Sequence, residues 1–119
     1  MSRAAQGLRA WLLQRFTAIY LAIYLVSVLS YGAVHDSFSY SEWRSWLGNP
    51  GMGVTTALFA LAILLHVWVG IRDVLIDYVH AVWLRLLMMA ATALVLLTSL
   101  LWTVRALTLA AIGSAGWKI

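Results

Sequence analysis

Met52-Gly-Val-Thr-Thr-Ala-Leu-Phe-Ala-Leu-Ala-Ile-Leu-Leu-His66-Val-Trp-Val-Gly-Ile71 carries no formal charge, and Arg72 and Asp73 close it. At about 1.5 Å of rise per residue, roughly 20 residues in a helix cross a hydrocarbon core of about 30 Å, so this run is long enough to span a bilayer. Two further runs obey the same rule: residues 16–34, between Arg15 and the pair His35 and Asp36, and residues 86–104, bracketed by Arg85 and Arg105. The eight basic and four acidic side chains all lie outside the runs, in the connections and at the two ends.

Composition points the same way. Hydrophobic residues make up 64% of the 119 and charged residues only 10%, with a mean hydropathy of +0.91, whereas an ordinary soluble domain carries about 25% charged residues. The sequence therefore predicts a single all-α integral membrane domain over residues 1–119 with three transmembrane helices, at about 16–34, 52–71 and 86–104. Residues 1–15 place Leu8, Trp11, Leu12 and Arg15 at helical spacing and are expected to lie at the membrane interface. Their arginines resemble the start of a secretory signal. The first apolar run, however, exceeds the usual core of roughly 7 to 15 residues, and no clear small-x-small cleavage site follows it.

Lysine and arginine near span ends set orientation. Arg3, Arg9 and Arg15 precede the first run, and Arg72 and Arg85 lie in the second connection. Arg44, Arg105 and Lys118 fall on the other side, with Asp36 and Glu42 beside Arg44. The N-terminus is accordingly expected to face the cytoplasm, or the matrix in a mitochondrion. The seven tryptophans cluster near the predicted water boundaries and read as belt residues. The net charge of +4 is spread over membrane flanks and forms no stripe for nucleic acid. With no cysteine, neither disulfides nor thiolate metal sites are available.

Function is sought at His66. An imidazole in hydrocarbon has two ring nitrogens that need partners, which makes an intramembrane histidine a candidate metal or haem ligand or proton relay. The plainer alternative is a hydrogen bond across a helix interface, worth about 1 kcal/mol. At 100° per residue, Phe59, Ile63, Gly70, Asp73 and Asp77 all fall within about 60° of His66, on one face. Gly70 would either let a flat macrocycle approach the backbone or serve close helix packing. Asp77 and Tyr78 read as a solvated helix end, or as a proton carrier beside a hydroxyl donor to a quinone carbonyl. Quinone reduction takes two electrons and two protons, so such a site needs a donor and a route to water. His35 and His80 lie outside the apolar runs. A haem that shuttles electrons would therefore take its second axial ligand from another chain, and three helices are too few to enclose a porphyrin.

The segment His66-Val-Trp-Val-Gly-Ile-Arg-Asp-Val-Leu-Ile-Asp77-Tyr78-Val, with Arg85-Leu following, resembles the small hydrophobic membrane anchor subunits of bacterial succinate dehydrogenases. Arg15-Phe-Thr-Ala-Ile is similar to the same family's approach to its first span, so the likeness covers nearly the whole chain. The spacing from histidine to Asp-Tyr is its most specific part. The resemblance implies one half of a two-chain haem-binding helix bundle in the bacterial inner membrane. The chain would be a non-catalytic subunit of succinate:quinone oxidoreductase, serving the respiratory chain and the tricarboxylic acid cycle. It implies His66 as an axial ligand of haem b, with a companion anchor chain giving the other histidine. It also implies Tyr78 as hydrogen-bond donor to ubiquinone, Asp77 as the adjacent acid that delivers protons, and Arg15 as a partner of a haem propionate. A flavoprotein subunit and an iron-sulfur subunit would complete the complex. Asp73, one turn before Asp77, and His80 in a loop without proline depart from the family pattern. A cofactor-free structural anchor remains an alternative. A small transporter is disfavoured, because all four acids lie outside the apolar runs.

Overall fold

The computed structural model describes residues 3–35 and 39–114; Asp36, Trp117 and Lys118 lie outside them. It contains four helices in the described residues: α1 (Arg3–Val34), α2 (Tyr40–Gly48), α3 (Pro50–Tyr78) and α4 (Val82–Ser114). Three stretches within α1, α3 and α4, namely Gln6–Val34, Pro50–Tyr78 and Val82–Gly113, are long and apolar enough to cross a membrane. The chain is thus an all-helical, multi-pass membrane protein.

The helices overrun the apolar runs. The segment expected at the interface before residue 16 forms the first turns of α1, in one helix with the first span, and α3 continues past Arg72 and Asp73 to Tyr78. A charge ends a span because hydrocarbon rejects it, but a helix stops only where its backbone groups find other partners. At the end of α1, the His35 ring Nδ1 sits 2.8 Å from the Tyr31 carbonyl. At the end of α3, the Val79 N–H donates to the Leu75 carbonyl, and the chain turns into α4 through Val79, His80 and Ala81.

The connection between the first two spans holds a helix of its own. Ser39 caps α2 by accepting from the Glu42 N–H, while the Glu42 carboxylate accepts from the Ser39 N–H, a reciprocal pair that satisfies two otherwise orphaned donors. Asn49 ends α2 and caps α3: its Oδ1 accepts from the Gly51 N–H at 3.0 Å, with Pro50 in the first turn, where no N–H is needed. Gly53 permits this tight junction, since a Cβ there would stand 3.0 Å from the Leu47 carbonyl. Arg44 ties α2 to α4 by donating to the Leu109 carbonyl at 3.3 Å.

α3 is the middle of a layer. It packs against α1 on one side and α4 on the other, while α1 and α4 do not touch. Its two faces divide by helical position. Phe59, Ala62, His66 and Gly70 meet α1. Ala57, about 180° around from His66, lines a groove shared with Val104, Leu107 and Ala111 of α4. Among the described residues few side chains are buried: Tyr24, Ala62, Val69, Leu75, Ala110 and, alone among polar ones, Thr17.

Candidate functional site

The seam between α1 and α3 is antiparallel and unusually polar for a membrane interface. Tyr20 donates to the Thr55 carbonyl at 2.7 Å, the Tyr24 hydroxyl meets Thr56 Oγ1 at 2.7 Å, and the Tyr24 ring stacks on Phe59 with centroids 4.1 Å apart. Toward the other end, Gly70 faces Gln14, whose Nε2 would lie 3.4 Å from a Cβ on that glycine. The space beside Gly70 is therefore taken by α1, which favours its packing role over an open approach for a macrocycle.

His66 lies between these contacts. Its Nδ1 is 3.0 Å from Thr17 Oγ1, which also stands 2.7 Å from the Leu13 carbonyl and 3.1 Å from that of Gln14. The hydrogen bond across a helix interface is thus realised, but at one ring nitrogen only. His66 is half-buried, and the only shut-in side-chain polar atom lacking a partner among the described residues is Gln14 Oε1. Among the described residues no hydrogen bond engages His66 Nε2.

Asp77 and Tyr78 form the last turn of α3, both exposed, with Tyr78 78% accessible. Because the helix is continuous, they stand roughly 16 to 18 Å along its axis from His66. The fold does not bring them into contact with it. Arg72 pairs with Asp73 at 3.2 Å and not with Asp77, which gives the extra carboxylate a partner of its own. Between exposed neighbours, such a pair contributes at most about 1 kcal/mol. Arg15 holds its guanidinium 5.4 Å from the Trp11 ring centroid and stands about 160° around α1 from Thr17, on the face turned away from α3. His35 and His80 lie at the two ends of the layer, outside the spans.

An open cleft of about 940 Å³ separates the N-terminal half of α1 from the C-terminal half of α3, with Arg9, Gln14, Arg72 and Asp73 among its walls. Neither Asp77 nor Tyr78 lines it. Thr17 is the residue that sequence reasoning passed over. The signal available was depth: Thr17 follows Arg15 by two residues and His66 precedes Arg72 by six, so antiparallel neighbours carry both near the same membrane boundary.

Residues 1–113 match the model of a protein family described as succinate dehydrogenase/fumarate reductase transmembrane subunit. The succinate dehydrogenase hydrophobic membrane anchor subunit of Coxiella burnetii (strain RSA 493 / Nine Mile phase I) is 31% identical over 105 residues, covering 88% of this chain and 91% of that protein.

Proposed function

The chain belongs to the family of succinate dehydrogenase and fumarate reductase transmembrane subunits, and from that premise we propose that it is the hydrophobic anchor of a succinate:quinone oxidoreductase, holding haem b jointly with a companion anchor chain and forming part of a ubiquinone site. The observation that carries this reading is the state of His66: Nδ1 is engaged by Thr17, and Nε2 has no hydrogen-bond partner among the described residues.

The donor chemistry fits a haem. Among the described residues no three His, Cys, Asp or Glu side chains gather into a cage for a free ion. A porphyrin would supply four nitrogens of its own, so His66 of this chain and one histidine of a companion anchor would suffice to hold its iron. A haem held there would supply reversible one-electron exchange. His66 would hold it through the Nε2 lone pair, while Nδ1 is engaged by Thr17 across the seam of α1 and α3.

At the end of α3, the Tyr78 hydroxyl donates to a quinone carbonyl, and the Asp77 carboxylate, with no cation paired to it among the described residues, takes protons from water at the membrane surface. Arg15 offers a cation to a haem propionate from the face of α1 turned away from α3. The N-terminus and the turn at His80 face the cytoplasm of the bacterial inner membrane, where the iron-sulfur and flavoprotein subunits dock. Succinate oxidation belongs to the flavoprotein, so this chain is not catalytic by itself. A cofactor-free structural anchor is the second reading, favoured by the Thr17 bond, which gives His66 a purely structural use.

Tyr78→Phe tests the quinone site in the complex isolated through a tag on this chain. Loss of one hydrogen bond of about 1 to 1.5 kcal/mol lowers quinone reduction roughly five- to twelvefold, while succinate oxidation with a soluble dye is unchanged. Equal loss of both activities, or of neither, would refute the assignment.

A further inference from the structure

The hydrogen-bond geometry around Thr17 fixes more than the position of His66. A threonine hydroxyl has one proton and two lone pairs. Three groups surround Thr17 Oγ1: the Leu13 carbonyl at 2.7 Å, His66 Nδ1 at 3.0 Å and the Gln14 carbonyl at 3.1 Å. Carbonyl oxygens only accept, and two oxygens approach to about 2.7 Å when a proton lies between them, the ordinary length of an O–H···O bond. The proton of Thr17 is therefore committed to Leu13. With the hydroxyl proton on the backbone, the contact to Nδ1 is attractive only if the ring nitrogen brings its own proton.

From this we infer that Thr17 is a positioning residue that sets the tautomer of His66: Nδ1–H donates to Thr17 Oγ1, and the lone pair is placed on Nε2. The inference rests on the haem-ligand reading given above and deepens it. Burial protects the arrangement. Thr17 is 7% exposed, the one buried polar side chain among the described residues, so water does not compete for either hydrogen bond. Leu13 and Thr17 belong to α1 and His66 to α3, so the helix seam itself holds the ring in register.

An imidazole that donates its second N–H is a stronger base at its ligating nitrogen and favours the oxidised metal, which is why the partner of that N–H tunes the metal as well as aligning the ring. Here the acceptor is a hydroxyl polarised by a helix carbonyl. Removing it weakens the electron donation from Nε2 and shifts the haem toward its reduced form.

The test compares wild type, Thr17→Val, Thr17→Ser and His66→Ala in the complex purified with its partner subunits, with flavin content as the measure of assembly. The readouts are the haem midpoint potential, the reduced-minus-oxidised spectrum and the low-temperature electron paramagnetic resonance of the ferric haem. Thr17→Val, nearly isosteric but without an acceptor, is expected to retain haem with a more positive midpoint and altered ferric resonances; Thr17→Ser restores the wild-type values. Should the valine fail to assemble, Thr17→Ala is read in the same way, since it cannot overpack the seam. Wild-type potential and resonances in an assembled variant lacking the hydroxyl would overturn the role of Thr17, as would a serine variant that behaves like valine. A His66→Ala complex with an unchanged haem signature would remove the ligand reading, and the inference with it. Loss of that signature in His66→Ala beside an unaltered Thr17→Val would sink the inference alone.

Discussion

Two carboxylates one turn apart on α3 have different surroundings, and the difference predicts their effects. Asp73 is engaged by Arg72 at 3.2 Å, and an exposed pair of this kind contributes about 1 kcal/mol or less. Asp73→Asn should therefore change neither the assembly of the complex nor its quinone reductase rate by more than about twofold. Asp77, one residue from Tyr78 and without a cation partner among the described residues, is the acid to which the proposed quinone site assigns proton delivery. Asp77→Asn should slow quinone reduction while sparing dye-linked succinate oxidation, and steady-state rates of both activities in the two variants check the contrast. His66 was legible in the sequence as a histidine amid apolar residues, because its cost in hydrocarbon is local. Thr17 was not: the contact joins residues 49 apart, and a threonine near the end of an apolar run satisfies itself so readily on its own helix that nothing in its neighbourhood marks it.

The seam of α1 and α3 is where the elements hold the site. Without a hydrophobic driving force between helices in lipid, their association rests on packing and on interhelical hydrogen bonds of about 0.6 to 2 kcal/mol each. Tyr24 contributes both kinds, its ring stacked on Phe59 and its hydroxyl on Thr56. Tyr24→Phe should cost about 0.6 to 1 kcal/mol, and Tyr24→Ala about 3 to 5 kcal/mol by loss of buried ring volume. Detergent-unfolding midpoints of the two variants separate these terms. The three spans could be read from charge clusters alone, but their lengths could not. Arg9, Arg15, Arg72 and Asp73 mark where hydrocarbon ends and not where the backbone stops hydrogen bonding, so α1 and α3 run beyond them. The short α2 is announced by Ser39-Tyr-Ser-Glu42, a capping signature that charge clusters and apolar runs do not register. Asn49 and Pro50 do punctuate the chain, but as the end of one helix and the start of the next.

As a whole, the molecule is an open layer with α3 between two helices that do not meet. Large apolar side chains are exposed along every span, among them Phe16, Leu29, Leu94 and Leu101, so both faces of the layer are suited to lipid or to another membrane chain. That openness agrees with an anchor that offers one axial nitrogen and leaves the rest of a haem cavity to a partner. Orientation can be tested directly, because the chain has no cysteine of its own. A cysteine at Ser41 should react with a membrane-impermeant thiol reagent added to intact cells, and one at His80 only after the membrane is opened; the reverse pattern would invert the topology. The central claim is that His66 ligates a haem shared with a companion anchor. Its most direct test is the dithionite-reduced minus oxidised visible spectrum of the complex, purified through a tag on this chain, for wild type and His66→Ala at equal flavin content. The account predicts a sharp b-type α-band in the wild type that is lost or shifted in the variant. An unchanged band in His66→Ala, or no band in a wild-type complex that retains its partner subunits, would contradict it.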